Sequence, residues 1–549
     1  MKSKILKFVA IICFCLSTAM CFSACGKKVT ISVYVGDQIV ETITTTSKEN
    51  FKASPSDLED ITTNPDVMRY FCGWYIDENF ETPLTSDTIF NENGKIFAKF
   101  IDVDFDNFEY TLNNNEATIT SFDNKNNEEL VIIPAKINSY NVKVIGELAF
   151  SNQTLVKTII MCDGIETMET MAFKNCTNLQ TLKLSNILKT IKSKVFEGCQ
   201  NLTKIDLPKS VTTIENQVFS GAINLKTLNY QGDFDTWSTN QLAKSEILSD
   251  IDTFILGNQE ITNTLEIPLS VEEIKEYAFY GFKTLKTLKT TNTTKINQYA
   301  FANCLNLVQL DIGEKLTQIN SNAFFNCVGL KNVVIPDNVL LIELGAFSGC
   351  GNIESMTLPF VGEQRLYDVD NQQLYPLGFV FGSESYENSI FVEGIIGDFY
   401  YVPQGLKTIT LTSNANVHGH AFYNCSNIET VYLPETVKVI GYSAFENCTS
   451  LKNIKIPRSV TTIFSKAFTN CDSLEEVIIP KEVINMGNRC SFDDCAKIKI
   501  FFETTTIPSY WRLDKWSEYN IPLYVYAEEK PTSTGNYWCY VDNQIKIWE

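Results

Sequence analysis

The chain has 549 residues, of which 44% are hydrophobic, so it carries enough apolar surface to fold throughout and is too long for one ordinary core. The formal net charge is −20. This charge disfavours the broad basic face that phosphate backbones or anionic lipid headgroups require, so nucleic acid is not an expected partner.

The first 25 residues, MKSKILKFVAIICFCLSTAMCFSAC, carry three lysines, then an apolar run, then small residues before Cys25. This order is typical of an export signal, and the apolar run is too short and wrongly flanked for a stable membrane span. The segment resembles a bacterial lipoprotein signal, in which the chain is cut before the cysteine and the thiol is lipidated. The resemblance implies lipid attachment at Cys25 and a protein anchored on the extracellular face of a bacterial membrane. A secretory peptide without lipid is the alternative.

Residues 26–101 lack the periodic pattern that dominates the rest of the chain. They contain VTISVYV, then FCGWY from Phe71 to Tyr75, then NGKIFAKF from Asn93 to Phe100. The segment resembles the internalin B-repeat, a small β-grasp-like module of bacterial surface proteins, and this implies a spacer or a weakly adhesive unit with Trp74 in its core. Residues 102–145, which include FEYTLNNNEATITSF, predict a hairpin that caps the first repeat and covers its strand edge.

A phenylalanine, usually preceded by alanine, returns at nearly fixed intervals over residues 146–500. Within three groups the step is 22 to 24 residues: Phe150, Phe173, Phe196 and Phe219; Phe279, Phe301, Phe324 and Phe347; and Phe422, Phe445, Phe468 and Phe492. In the copy after Phe445, residues 454–456 alternate inward and outward as a short strand, Pro457 ends it, and residues 460–463 form a second extended piece. The period predicts a leucine-rich repeat solenoid, a stack of coils with short parallel strands joined by irregular or short helical arcs.

The cysteines follow the same repeat, three residues after the phenylalanine: Cys176, Cys199, Cys304, Cys327, Cys350, Cys425, Cys448, Cys471 and Cys495. Coils stack at about 4.8 Å, whereas a disulfide needs Cβ atoms about 3.8 Å apart. We therefore expect buried, reduced thiols that pack as small hydrophobic side chains. Secretion favours the alternative, disulfides.

The leucines, the proline after the strand, the phenylalanine–cysteine pair and the period occur together over about residues 105–549. In this combination the chain resembles the BspA-like class of leucine-rich repeat surface proteins. The resemblance implies a cell-surface protein that binds other proteins or host surfaces without catalysis. It does not identify the ligand.

Two insertions interrupt the period, near residues 230–263 and 360–404. Insertions in solenoids usually project from one face and often bind partners, so the aromatic second insertion and Trp237 in the first form a candidate platform for glycans. The alternative is that their aromatic side chains cover the neighbouring coil. Residues 501–549 hold four of the six tryptophans, Trp511, Trp516, Trp538 and Trp548, and predict an aromatic cap on the last coil, with glycan stacking as the alternative.

The sequence offers no recognisable catalytic or metal-binding pattern. His418 and His420 are separated by one residue, so on an extended segment they point to opposite faces, and we expect both on the surface of a turn. The acidic runs 102–106 and 368–370 match no calcium loop and are expected to be solvated. We therefore predict a protein without enzyme activity, cofactor or metal.

Recognition is expected at the outward positions of the strands, where polar side chains alternate with apolar ones. The candidate binding residues are Thr181, Lys183, Lys204, Asp206, Trp237, Thr430, Tyr432, Asn453 and Lys455. The predicted function is adhesion to proteins of the host or of neighbouring cells through the solenoid face. Carbohydrate binding through the aromatic insertions and a structural envelope spacer are the alternatives.

Overall fold

The structure is a computed structural model. It describes residues 28–548 except 36, 47–60, 65–66, 80–83, 85–87, 241, 258, 365–375, 395–396, 414–415, 488–490 and 512–520. Cys25 and the predicted signal lie outside the described residues. The chain forms two compact units, which meet in the sequence between Leu188 and Lys189. Within the described part, none of the helices has the length and apolarity that a membrane crossing needs.

The first unit begins with a small five-stranded sheet. Its strands are Lys28–Val35, Gln38–Thr46, Ile61–Asn64, Val67–Tyr75 and Gly94–Asp104. The first and last strands lie side by side and parallel in the centre of the sheet. VTISVYV alternates inward and outward, since Val29, Ile31 and Val33 are buried against Trp74 and Ile96. Trp74 is thus a core residue.

The rest of the first unit holds a hairpin and the first coils. The hairpin pairs Phe108–Asn113 with Glu116–Phe122 inside the predicted cap, and a parallel strand follows it. Two parallel rows begin here. One consists of Leu130–Ile133, Thr158–Met161 and Thr181–Lys183, and the other of Tyr140–Ile145 and Thr167–Met168, with Lys136–Ile137 beside Tyr140.

In the second unit each regular coil supplies a first strand, usually of three or four residues, and a second strand of two residues. The strands of each kind pair in parallel with those of neighbouring coils, except that Gln259–Ile261 and Gln544–Trp548 pair antiparallel with the strands before them. The longer strands form four groups: Lys204–Leu207, Thr227–Tyr230, Thr253–Leu256 and Gln259–Ile261; Thr264–Glu266, Thr287–Thr290 and Gln309–Ile312; Asn332–Val334, Ser355–Leu358, Thr408–Leu411, Thr430–Tyr432 and Asn453–Ile454; and Glu476–Ile479, Lys499–Phe502, Leu523–Tyr526, Tyr537–Val541 and Gln544–Trp548. The short strands are Thr190–Ile191, Thr213–Ile214, Glu273–Ile274, Lys295–Ile296, Gln318–Ile319, Leu341–Ile342, Val439–Ile440, Thr462–Ile463 and Asn485–Met486. The regular arcs between them are turns rather than helices. The solenoid predicted from the period is confirmed.

The repeated phenylalanines stack in the interior of the coils. Phe445 is fully buried, and its ring lies 5.0 Å from that of Phe422 and 5.1 Å from that of Phe468, nearly parallel to both. The residue before each repeated cysteine has a positive φ, which suits asparagine and glycine. Asn447 at this position accepts a 2.8 Å hydrogen bond from the amide of Asn470 and donates one of 2.6 Å to Asn424. The Ala-Phe and Asn-Cys pairs therefore fix the stacking register.

The buried cysteines act as hydrogen-bond donors as well as packing groups. The thiol of Cys448 donates to the carbonyl oxygen of Phe422 in the preceding coil over 3.1 Å. The same bond recurs at Cys176, Cys304, Cys327, Cys350, Cys471 and Cys495. These thiols are free in the structure. The carbonyl oxygen of Phe422 also accepts the backbone amide of Cys425 in its own coil over 3.1 Å, so the thiol of Cys448 is its second donor.

We expect the described thiols to resist alkylation in the native protein. Burial raises the pKa of Cys304 and of Cys425 to about 12, so almost no thiolate is present at neutral pH. Iodoacetamide at pH 8, read out by mass spectrometry of each cysteine peptide, should label them only after urea is added. If Cys304 or Cys425 in the native protein were labelled as fast as an exposed thiol, the buried arrangement would be contradicted.

The first insertion completes a coil instead of projecting. Its helix Phe234–Thr239 begins at Asp233, whose carboxylate accepts from the amide of Thr236, and a short 3-10 helix Leu242–Ser245 follows. Trp237 is 0% exposed, contacts Tyr230 and Phe254, and donates from its indole nitrogen to the carbonyl of Ala278 over 2.7 Å. The prediction of Trp237 as a surface binding residue is wrong, because the helix turns the indole into the core.

The second insertion has a buried part and an exposed part. The 3-10 helix Leu377–Phe381 is entirely buried and replaces the turn that carries the repeated phenylalanine in a regular coil. The amide of Phe347 donates to the carbonyl of Val380, and the amide of Leu377 donates to the carbonyl of Ala421. The hairpin Ser389–Glu393 and Phe399–Pro403 follows. One of its faces buries Val392, Tyr400 and Val402, and its other face lies open.

Two of the tryptophans in the predicted C-terminal cap are buried. Trp511, in the 3-10 helix Ser509–Trp511, donates to the carbonyl of Ile484, and Trp538 to that of Phe502. Both indoles are buried. Trp548 donates to Ala527, and Trp516 lies outside the described residues. Trp511 and Trp538 are therefore not exposed for stacking on glycans, and the cap stays a prediction.

Candidate ligand-binding face

The outward side chains of the longer strands form one polar face of the coils. Thr430 and Tyr432 flank buried Val431, and Asn453 and Lys455 flank buried Ile454. The alternation predicted from the sequence is therefore present at these positions. It arises because successive side chains of a strand point to opposite sides.

Two of the four predicted pairs are engaged with their own neighbours. In the first unit Lys183 extends its amine to within 3.4 Å of the hydroxyl of Tyr70, next to exposed Thr181. In the second unit Lys204 and Asp206 form an ion pair of 2.9 Å, and Asn229 donates to Asp206 over 2.6 Å. A partner at Lys204 and Asp206 would compete with these contacts.

The other two pairs lie together in a groove. Thr430, Tyr432, Asn453 and Lys455 line a depression of about 510 Å³. We call this depression the strand groove. Its remaining lining side chains with charge or a hydroxyl are Arg458, Glu476, Glu503 and Tyr540. The groove lies where the row of strands is interrupted, because Asn453–Ile454 pairs with Thr430–Tyr432 whereas Glu476–Ile479 pairs with Lys499–Phe502.

The sequence did not identify the last four residues. Arg458 follows the proline that ends the strand, and Glu503 and Tyr540 belong to the C-terminal end, beyond the regular period. Glu476 occupies the position of Asn453 one coil later, so the period itself could have selected it. Periodicity cannot select Glu503 and Tyr540, which enter the groove from outside the regular repeat. The hairpin character of residues 537–548 is the only signal that places Tyr540 on a strand.

The strand groove contains a nearly buried carboxylate. The side chain of Glu503 is 8% exposed; its Oε1 accepts from Arg458 Nη2 over 3.0 Å and from the hydroxyl of Tyr540 over 2.9 Å. Its Oε2 is buried without a hydrogen-bond partner. Burial, with the neighbouring Glu503, raises the pKa of Tyr540 to about 12, so its hydroxyl stays protonated and acts as a donor.

The open face of the second insertion's hairpin is a second candidate surface. Phe391 is 57% and Phe399 45% exposed, and their ring centroids lie 6.1 Å apart. Tyr401 lies edge-on to both rings, at 5.8 and 6.4 Å. We call these three side chains the hairpin aromatic face. It remains a candidate platform after Trp237 is excluded.

Comparison with known proteins places the chain in a family. The model of the BspA type leucine rich repeat region matches residues 116–249, 249–364 and 394–510, more than half of the chain. The chain belongs to the BspA type leucine-rich repeat family. No curated protein matches it.

Solved structures similar to this BspA type protein are themselves leucine-rich repeat or surface proteins. A leucine-rich repeat protein from Bacteroides ovatus is 22% identical, covers 79% of this chain and 98% of its own, and gives a TM-score of 0.42. A leucine rich cell surface protein from Faecalibacterium prausnitzii is 21% identical over 74% of this chain and 95% of its own, with a TM-score of 0.23. The pneumococcal vaccine antigen PcpA is 15% identical over 77% and 92%, with a TM-score of 0.27.

The two histidines, which the sequence predicts on the surface, lie in different environments. His418 is partly buried, with Nδ1 2.8 Å from the carbonyl oxygen of Gly419 and Nε2 3.0 Å from that of Val361, which begins the second insertion. The ring of His420 lies 5.4 Å from those of Tyr423 and Tyr442. The surface prediction is wrong for His418, because the insertion returns across this coil of the BspA type repeat and covers the imidazole.

We expect His418 to make the protein less stable as the pH falls. Burial lowers its pKa, although the two carbonyl contacts act in the opposite direction. Since the folded pKa lies below the unfolded value of about 6.5, the unfolded state binds more protons on acidification. The stability contribution of neutral His418 is therefore present above pH 6.5 and is lost as the pH falls toward the folded pKa. Thermal unfolding of the wild type and of His418→Gln, measured between about pH 7.5 and pH 5.5, should show the wild type losing more stability.

A wild type that gains stability over His418→Gln on acidification would contradict this result. It would mean that both carbonyl oxygens hold an imidazolium. His420→Gln is a comparison variant that separates burial from the carbonyl contacts. Burial also lowers the pKa of His420, so its pH dependence should have the same sign, although its ring contacts tyrosines instead of two carbonyl groups.

The acidic runs show no metal arrangement in the described part of the chain. No group of three or more histidine, cysteine, aspartate or glutamate side chains that could hold a metal ion occurs among the described residues. Asp102 pairs with Arg69 over 3.0 Å, and Asp104 caps its own turn through the amide of Asp106. Residues 368–370 lie outside the described residues.

Proposed function

We propose that the protein is a non-catalytic recognition protein of the bacterial surface, which binds surface proteins of a host or a neighbouring cell through the outward face of its strands. The strand groove carries this proposal. Four of the residues predicted from the sequence line it together, beside side chains that offer both donors and acceptors. A single repeated position could not make such a site, whereas an interrupted row of strands can.

The anchoring part of the proposal rests on the sequence. Lipid attachment at Cys25 would hold the protein on the extracellular face of the membrane, and residues 26–101 would act as a spacer beneath the coils. Relatives that include a cell surface protein and a vaccine antigen support an exposed location. Metabolic labelling with a lipid analogue, compared between the wild type and Cys25→Ala, tests the anchor.

The binding mechanism is the sum of many weak contacts along a rigid surface. The outward positions are polar and of mixed charge, so each contributes little alone. Rigid coils limit the entropy that binding costs. Catalysis is not part of this proposal, because recognition needs neither a nucleophile nor a metal.

Binding of the purified protein to an array of host extracellular proteins and glycans tests the proposed function. Saturable binding to one or more proteins, abolished when the chain is first unfolded in urea, would support recognition. Binding that disappears after enzymatic deglycosylation of the array would assign recognition to glycans. No saturable binding to any component would favour the structural spacer.

The hairpin aromatic face supports carbohydrate capture as a second function. Phe391, Phe399 and Tyr401 offer exposed rings of the kind on which sugar rings stack. The double variant Phe391→Ser/Phe399→Ser removes two of these rings without entering the core. Loss of glycan binding by this variant, with protein binding retained, would support capture.

A further inference from the structure

The strand groove is bounded by two tyrosines on different elements. Tyr432 belongs to Thr430–Tyr432 and is 58% exposed, and Tyr540 belongs to Tyr537–Val541 and is 38% exposed. The groove volume of about 510 Å³ lies within the range of small-molecule sites, about 300–1,000 Å³. Aromatic faces carry negative potential and attract the weakly positive C–H groups of a ligand. The walls therefore suit a ring with C–H faces.

The charges of the groove leave no net attraction for an ion. Lys455 and Arg458 balance Glu476 and Glu503 among the lining residues. Lys455 is also paired with Glu435 over 2.7 Å, and Arg458 with Glu503 over 3.0 Å. Selection of an acidic or basic ligand would need a surplus of one sign. The balance favours a neutral ligand.

The carboxylate of Glu503 can accept a hydrogen bond from a ligand. A buried carboxylate oxygen without a partner is costly, and Oε2 of Glu503 is such an atom in a side chain that is more than nine-tenths buried. The side chain of Arg458, which pairs with the other oxygen of this carboxylate, is 62% exposed and long, so it can shift as a ligand enters. A ligand hydroxyl could then donate to the carboxylate, while Asn453 on the wall offers both a donor and an acceptor.

We propose that the strand groove binds a neutral carbohydrate, with a sugar ring against Tyr432 and Tyr540 and a hydroxyl directed at Glu503. Neutral sugars have C–H faces that can pack against Tyr432 and Tyr540, and they carry hydroxyl groups that can donate to Glu503. The proposal rests on the proposed function in assigning recognition to the outward strand face. It adds the chemical class of the group that the groove would bind on the surface partner, a neutral sugar. The groove is separate in sequence from the hairpin aromatic face.

Titration calorimetry of the purified protein with neutral oligosaccharides tests the proposal. Lactose, N-acetyllactosamine and maltotriose are the neutral probes, and sialyllactose is the charged control. We expect at least one neutral probe to bind and sialyllactose not to bind. Tyr432→Ala should weaken binding of the neutral probe at least about tenfold. Glu503→Gln should weaken it too, by removing the carboxylate acceptor while keeping the shape of the side chain.

Tyr432→Ala keeps the test valid if Glu503→Gln fails to fold, because Tyr432 is largely exposed and its loss leaves the core intact. Phe464→Ser is the matched control and should bind like the wild type, because Phe464 is 41% exposed and does not line the strand groove. Absence of neutral sugar binding would overturn the proposal, and so would sugar binding that Tyr432→Ala leaves unchanged or that Phe464→Ser weakens as much as Tyr432→Ala does. Saturable binding to array proteins without any sugar binding would refute this inference and leave the proposed function standing.

Discussion

Replacing Phe445 with alanine lowers the free energy of unfolding by about 3–5 kcal/mol. The ring is fully buried and stacks at 5.0 and 5.1 Å on the phenylalanines of the coils before and after it. Alanine leaves a cavity that both neighbours line, so the loss combines the transfer of the ring with the cost of the cavity. In a stack of coils this loss falls on two interfaces at once, because each coil contacts only its neighbours.

Urea unfolding followed by circular dichroism measures the loss. Phe391→Ala is the matched control, since Phe391 is an exposed phenylalanine of the same unit, and its replacement should change stability by no more than about 0.5 kcal/mol. Equal unfolding midpoints for the two variants would contradict the interior stack. Tryptophan fluorescence should give the same midpoint as circular dichroism if the coils unfold together.

Replacing Gly441 with alanine destabilises the protein by about 1–3 kcal/mol through crowding between coils. A Cβ atom on Gly441 would overlap the amide nitrogen of Gly419 and lie 2.5 Å from the carbonyl carbon of His418. These neighbours are backbone atoms, which cannot rotate away as a flexible side chain can. The coils must separate, and this weakens the 2.7 Å hydrogen bond from the amide of Gly441 to Val417.

Gly405→Ala provides the control for Gly441→Ala. The nearest atom to a Cβ on Gly405 is the carbonyl oxygen of Ile353 at 3.6 Å, an ordinary contact. Thermal unfolding should therefore place Gly405→Ala near the wild type and Gly441→Ala clearly below it. A Gly441→Ala variant as stable as Gly405→Ala would show that the coils are not in close contact at this position.

The repeated part of the fold follows from the sequence because one geometric requirement returns in each coil. Phe445, Ile454 and Pro457 each predict their environment, since a coil that must stack on identical neighbours leaves few alternatives. The hydrogen bond that the thiol of Cys448 donates could not be predicted in this way. It depends on where the carbonyl of Phe422 in the preceding coil points, and composition alone suggests only a small apolar side chain.

The positions of side chains outside the regular repeat could not be predicted from the sequence. Trp237 lies in a segment without the period, where nothing in the sequence states which side of the helix faces inward. His418 is covered by Val361, 57 residues earlier, and no local pattern records this approach. The strand groove was half predicted, because Thr430, Tyr432, Asn453 and Lys455 occupy repeated positions, whereas Glu503 and Tyr540 do not.

Hydrogen–deuterium exchange with mass spectrometry tests the location of the binding face most directly. The protein would be compared alone and with the tightest binder from the array of host extracellular proteins and glycans. Recognition at the strand groove predicts slower exchange on binding in residues 430–432, 453–458 and 537–541, with residues 389–403 of the second insertion unchanged. Protection confined to residues 389–403 would contradict this account and transfer recognition to the hairpin aromatic face.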